Sequence, residues 1–265
     1  MSELGTDLVS IITPCYNSER YLSETIKSVL SQSYANWEML IVDDCSTDKS
    51  YEIALDFSKK DSRIKVYKNS ENQGACYSRN FAINMAKGKY IAFLDSDDVW
   101  LPQKLAEQIL FMKKNDCDFS FSEYEWIDEC GKPIGVKARV VNHLSYKKNL
   151  FHNWPGCLTV MYDASKIGLV QGKKKGNGDD YSLFLNVLKK AHNAMGMKMV
   201  LAKYRRHADS ISYSRMKMVK EHYFVLHNIE KIPMILSVFF VCTHAFVMLL
   251  FKQEKIATHA NKMIK

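Results

Sequence analysis

The first 115 residues alternate four times between a short apolar run and an amphipathic segment, and this pattern constrains the fold more than any other feature. Leu8-Val9-Ser10-Ile11-Ile12 is a β-branched run closed by Thr13-Pro14, the signature of a buried strand. Asn17-Ser18 then open a helix with Tyr21, Leu22, Ile26, Val29 and Leu30 on one face. Residues 37–42 give a second strand ending at Asp43-Asp44, and Ser46 or Thr47 can cap a helix reaching about Lys60. Residues 63–67 give a third strand, with Gly74 before another helix to about Lys87. Residues 90–94 give a fourth, and Leu101-Pro102 start a helix with proline in the first turn. Such alternation predicts right-handed crossovers and an α/β architecture: a Rossmann-like, mostly parallel, doubly wound sheet.

Ligands of such sheets bind beyond the carboxyl ends of the strands. Here those ends carry Thr13 to Asn17, Asp43 to Ser46, Asn69 to Gly74, and Asp95 to Asp98. Aspartates often serve merely as turn residues. Three acids directly after the buried run Tyr90 to Leu94 are another matter, because like charges repel and lose solvation there. A hard divalent cation, Mg²⁺ or Mn²⁺, relieves that conflict and in turn holds phosphates. The glycine and glutamate spacing of an EF-hand is absent, and Gly168 to Lys174 lacks P-loop spacing. Phosphate is therefore expected on a metal rather than in a glycine cradle.

A chain of 265 residues can bury a full α/β core with an appendage. The net charge of +8 includes Lys252, Lys255, Lys262 and Lys265, a local excess suited to an acidic surface. Anionic lipid and nucleic acid both fit on charge alone, but nothing besides charge favours nucleic acid, and no nucleic-acid partner is expected. Seven cysteines without CxxC spacing argue against a disulfide framework or zinc site and for a reducing cytosol. The first residues show no secretory pattern.

The second half is less regular. Residues 118–124 alternate like a strand, Cys130 to Pro133 read as a turn, and residues 157–162 as another strand. A basic glycine loop, residues 172–178, leads to Asp179-Asp180 and a helix from Tyr181 to Lys190; its lysines 173–175 could close as a lid, or simply be solvated. Residues 215–231 form a basic helical segment before Pro233 to Phe251, nineteen residues without formal charge. That length just suffices to cross a bilayer, but Ser237, Thr243 and His244 weigh against spanning. Flanking lysines favour a segment lying at the interface; packing on the domain and true spanning are the alternatives.

Several of these motifs together resemble the family 2 glycosyltransferases. They are Ser10 to Asn17, Ser28 to Tyr34, Ile41 to Asp44 with Ser46-Thr47-Asp48, Asn72-Gln73-Gly74 with Ser78-Arg79-Asn80, and Gly88 to Asp98. The likeness extends over about residues 8–215 and is nearest to bacterial enzymes of O-antigen, capsule or teichuronic-acid-type polymers. It implies a GT-A fold, a nucleotide-sugar donor (most often a UDP-sugar), Mn²⁺ or Mg²⁺, and inversion at the sugar carbon. By the same resemblance Tyr16 stacks on the base, Thr13 and Pro14 shape its pocket, Asp44 accepts from uracil, and Arg79 lies near the nucleotide. Asp97 touches ribose or metal, Asp98 is the main metal ligand, and Asp95 acts on donor-sugar hydroxyls or on loop structure.

Asp179-Asp180-Tyr181-Ser182-Leu183-Phe184 resembles the segment supplying the family's catalytic base, with Phe184 where tryptophan is usual. Asp180 is the implied base and Asp179 the second choice, although both acids would also suit a plain helix N-terminus. Tyr204 to Ser212 resembles the segment after the last strand, where His207 or an arginine reaches diphosphate or metal. The implied organisation is a catalytic domain over 1–214, divided into a nucleotide half (1–115) and an acceptor half (116–214), and a membrane-associating helical tail over 215–265. The implied acceptor is a saccharide, with an undecaprenyl-diphosphate-linked one among the candidates, and the implied place the inner face of the cell membrane. Two rivals stand beside this: a non-catalytic sugar-nucleotide scaffold, and a receiver-like signalling module, which would need its acidic pair after the first strand.

Overall fold

The computed structural model describes residues 5–173, 179–207 and 215–247. In chain order the elements are β1 (Val9–Cys15), α1 (Leu22–Leu30), β2 (Trp37–Asp43), α2 (Ser50–Lys60), β3 (Ile64–Lys68), α3 (Ala75–Met85), β4 (Tyr90–Phe93), β5 (Val99–Trp100) and α4 (Lys104–Lys114). There follow β6 (Phe119–Ile127), β7 (Pro133–Ala138), β8 (His143–Leu144), α5 (Tyr146–Phe151), β9 (Met161–Asp163), α6 (Ala164–Ile167), α7 (Asp179–Leu188), β10 (Ala194–Arg205) and α8 (Arg215–Phe224). A π-turn, Val225–Ile229, continues α8, and a last helix, α9, is described over 234–247.

The strands join one sheet in the order β3-β2-β1-β4-β9-β6-β10-β5, with β7 added to β6 and β8 to β10. The first four are parallel, as the alternation predicts. β1, β2 and β4 are buried on both faces, while β3, at the edge, is buried only at Ile64. Ile11, Met39, Ile41 and Ala92 enter the core under α1 and α4, while Ile12, Leu40, Val42, Ile91 and Phe93 enter the core under α3 and α7.

Beyond β4 the expectation of a mostly parallel sheet requires correction. β9 runs antiparallel to both β4 and β6, β7 is antiparallel to β6, and β5 and β8 are antiparallel to β10; among the described residues only β6 and β10 pair in parallel there. The sheet is mixed because distant parts of the chain meet in this half: among the described residues only the antiparallel pair β6 and β7 is joined by a short turn, while β5, β8 and β9 reach their antiparallel partners from far along the sequence. Three local boundaries also move. Helix α1 begins at Leu22 rather than Asn17-Ser18, because Asn17 (φ 47°) spends its side-chain oxygen on the Thr47 N–H and the Ser18 N–H donates to Ser50. Helix α4 begins at Lys104, after Val99–Trp100 has paired with β10. Residues 157–162 divide into a 3₁₀ turn, Cys157–Thr159, and β9.

A third, small core gathers Leu150, Tyr181, Leu185, Val225 and Leu226, against which Phe240 and Val241 of α9 pack. Among the described residues no helix is long and apolar enough to cross a membrane. Residues 248–251 of the uncharged stretch lie outside the described residues.

Candidate active site

Asp98, just past β4, is almost fully buried. Its Oδ1 accepts the Arg205 N–H of β10 at 2.8 Å, and its own carbonyl accepts the Thr25 hydroxyl of α1 at 2.8 Å. Thr25 also donates to the Ser96 carbonyl at 3.0 Å, so one buried hydroxyl fixes both ends of the acidic turn. Burial pushes the Asp98 carboxyl well above the usual range; the charges of Asp97 and Asp95 push it further, and Arg205 opposes them. Asp97 Oδ2 lies 2.9 Å from His207 Nε2, and Asp95 accepts from the Arg79 guanidinium at 2.7 Å.

Arg205 lies in the run where an arginine is expected to reach diphosphate or metal, and it turns inward onto backbone carbonyls instead. It is 1% exposed. Its Nε donates to the Asp97 carbonyl, Nη1 to the carbonyls of Asp128 and Glu129, and Nη2 to Glu24, while the guanidinium lies over the Tyr21 ring. Tyr21 in turn faces the His207 ring at 5.1 Å. The arginine thus binds the acidic turn to α1 and to the loop after β6.

The residues expected on the nucleotide side gather at the ends of β1 and β2. Thr13 and Pro14 are buried in β1, the Thr13 hydroxyl without a hydrogen-bond partner, and Tyr16 is half exposed just beyond it. Asp44 is buried and accepts from Asn69 Nδ2 (2.7 Å), Gln73 N–H (2.9 Å) and Gly74 N–H (2.7 Å), which builds the loop before α3. Its neighbour Asp43, which was not singled out, accepts the Ser46 N–H with one oxygen and has no hydrogen-bond partner on the other.

Asp180 stands in the first turn of α7, its Oδ1 accepting the Tyr181 N–H at 2.7 Å. Asp179 begins that helix; its side chain, lysines 174–175 and residues 208–214 lie outside the described residues. Phe184 is fully buried, with its ring 6.0 Å from both Phe93 and Phe119, so the aromatic required there is a core residue. The Tyr124 phenol on β6 is pushed up to about 12, first by burial and then by the charge of Asp98, with a hydrogen bond to Trp126 opposing and the charge of Asp180 adding a little, so it stays neutral.

Gly156 makes room for that ring: a Cβ there would meet Tyr124 Cε1 at 2.6 Å and Cζ at 3.1 Å. Gly156→Ala is expected to displace Tyr124, costing about 1–3 kcal/mol in chemical denaturation, with a fall in turnover beyond what the lost folded fraction explains.

Two carboxylates and an imidazole at one corner are suitable donors for Mg²⁺ or Mn²⁺. Among the described residues no three His, Cys, Asp or Glu side chains converge as a closed cage. A cation that takes one or two carboxylates and completes its shell with phosphate and water needs no such cage.

The family model "Glycosyl transferase family 2" matches residues 10–170. The chain belongs to glycosyltransferase family 2. Among curated members of the family it is 42% identical, over 85% of this chain and 89% of the relative, to a putative teichuronic acid biosynthesis glycosyltransferase of Bacillus subtilis, TuaG. It is 40% identical, over 86% and 88%, to the Escherichia coli UDP-Glc:alpha-D-GlcNAc-diphosphoundecaprenol beta-1,3-glucosyltransferase WfgD. Among solved structures, Staphylococcus aureus TarS residues 1–349 in complex with UDP-GlcNAc superposes with a TM-score of 0.70 at 18% identity, over 88% of this chain and 70% of that one. The mannosyltransferase PcManGT of Pyrobaculum calidifontis, in complex with GDP-Man and Mn²⁺, does so with a TM-score of 0.66 at 13% identity, over 99% and 81%. These neighbours show that this family 2 glycosyltransferase has the GT-A fold, in a mixed α/β sheet.

Proposed function

We propose that this glycosyltransferase moves a sugar, with inversion, from a UDP-sugar to a hydroxyl of a lipid-linked saccharide, working as a peripheral protein at the inner face of the cell membrane. The buried Asp98 beside Asp97 and Asp95 is the observation that carries the reading, since a divalent cation and its diphosphate would relieve that crowding. The names of the relatives support the donor and acceptor classes: one acts on a diphosphoundecaprenol-linked sugar with UDP-Glc, another belongs to teichuronic acid synthesis.

Thr13, Pro14 and Tyr16 hold the uracil from the β1 side. Asp44 acts through the 69–74 loop that it ties together, and Asp43 offers the spare acceptor beside it. Arg79 sets Asp95 against the donor sugar. Asp97 and Asp98, with His207 behind Asp97, would hold Mn²⁺ or Mg²⁺, which supplies charge neutralisation for the departing diphosphate. Asp180 removes the acceptor proton as the acceptor oxygen attacks the anomeric carbon opposite the diphosphate. Asp179 is the reserve candidate for that role. Residues 1–115 form the nucleotide half, 116–214 the acceptor half, and 215–265 the tail.

A panel of UDP-sugars, screened for UDP release, tests the reading. Release should need Mn²⁺ or Mg²⁺, stop on chelation and return on adding metal back. Undiminished release in excess chelator would refute the metal assignment.

A further inference from the structure

Helix α9 is inverted for a helix packed on a globular domain. Its inward stripe is Ser237, Phe240, Val241 and His244, with Ser237 and His244 buried. Its outward stripe includes Ile235, Val238, Phe239 and Phe246, which are 79%, 48%, 52% and 62% exposed. An ordinary surface helix places its apolar stripe on the core and its polar one outside. The reversal is held by specific contacts. The Ser237 hydroxyl donates to the Ile232 carbonyl at 3.1 Å, and His244 Nδ1 meets His152 Nδ1 at 3.0 Å. The His244 ring stacks on His222 at 4.3 Å and 12°, and His222 stacks on Tyr181 at 4.4 Å and 15°.

We propose that the outward face of α9 docks on an anionic lipid bilayer, with the helix lying along its surface. The charges around the stripe favour lipid over a second copy of the chain. Residues 234–247 carry no charge, while Lys231 precedes them and Lys147 and Lys148 stand exposed on α5. Phe151 at the end of α5 packs edge-on against Phe239 of the outward stripe, 6.2 Å between ring centres, so the lysine-bearing helix adjoins the apolar face. After Lys231 the sequence contains one acid, Glu254, against four further lysines. A two-fold pairing through this face would bring cationic rims together, whereas anionic headgroups neutralise them. An apolar stripe bordered by lysine is the pattern of helices that lie in the interface.

The proposal rests on the membrane-facing reading above and gives it a surface. It also joins that surface to the chemistry: the column His244–His222–Tyr181 ends one residue from Asp180, so the docked helix sets the height of the base above the bilayer.

The test is sedimentation of the full chain with phosphatidylcholine vesicles, with and without phosphatidylglycerol, comparing the wild type with Ile235→Glu/Phe246→Glu. The wild type should sediment with the anionic vesicles, more weakly at high salt, and the variant should bind at least about tenfold less with an unchanged melting curve. Three results would overturn the proposal: equal binding by both proteins, a wild-type dimer that the substitutions dissociate without any vesicle binding, or binding that appears only once residues 248–265 are removed. No sugar donor is present, so failure of transfer and failure of docking are read separately.

Discussion

Asp180→Asn is expected to retain UDP-sugar binding and to lose about 10²–10⁴-fold in turnover, the usual contribution of a positioned general base. The substitution keeps the side-chain oxygen that accepts the Tyr181 N–H, so the start of α7 should survive. It removes the capacity to accept a proton in the transition state. The kinetic signature is a fall in kcat with the donor KM unchanged, because the lost interaction belongs to the transition state alone. Asp179→Asn in parallel separates the two acids. Wild-type turnover in Asp180→Asn would transfer the base to another residue. A native protein that binds UDP but transfers nothing from any donor would instead favour the scaffold reading.

The imidazole column should make the protein acid-sensitive below about pH 6.5. Burial, with mutual repulsion, holds His152 and His222 down to about 3, and burial alone holds His244 down to about 4. In the unfolded chain all three titrate near 6.5. The unfolded state therefore binds protons first as pH falls, and stability present above pH 6.5 is lost on acidification. At pH 5.5 each ring costs roughly 1.4 kcal/mol, or about 4 kcal/mol for three that open together.

Asp98, whose carboxyl is shifted upward, contributes with the opposite sign, so a local probe is required. Trp154 provides one, its ring centre 4.8 Å from that of His152. Its fluorescence should report α9 loosening between pH 6.5 and 5, before the parallel sheet melts. Tyr181, Tyr146, Glu230 and Lys189 border the column, but Tyr181 and Tyr146 are pushed to still higher pH and do not titrate in this range. His222→Phe with His244→Phe should flatten the transition. A Trp154 signal constant down to pH 4 would show that the rings do not stay neutral as a unit.

What the sequence revealed depended on how each residue is used. β1, β2 and β4 are buried on both faces, so their apolar runs had no other reading, and the acids following them could be placed on one rim. β10 is the opposite case: Gly196, Lys198 and Lys203 interrupt it, and its register against β6 shifts twice, so no period of two survives. Arg205 appeared only within a basic run expected to reach diphosphate. It turns inward and binds backbone carbonyls, a role without a sequence signature, while Arg206 lies over Trp126. Thr25 was hidden for the same reason. Tyr124 could be reached only through a glycine 32 positions later that admits its ring. The stretch 233–251 reads as uncharged, but nothing local in it shows that Ser237 turns to the Ile232 carbonyl or that His244 turns to two histidines distant in sequence, His152 and His222.

The Arg205 clasp also bears on how this enzyme is made. Asp98 leaves the ribosome more than a hundred residues before the backbone N–H that fixes its carboxylate and the guanidinium that fixes the neighbouring turn. Closing so long a loop is slow and entropically costly, so it follows formation of the local βα units. A nascent or truncated chain can therefore carry Thr13, Tyr16, Asp44 and Asp98 and still lack the contacts that order the acidic turn.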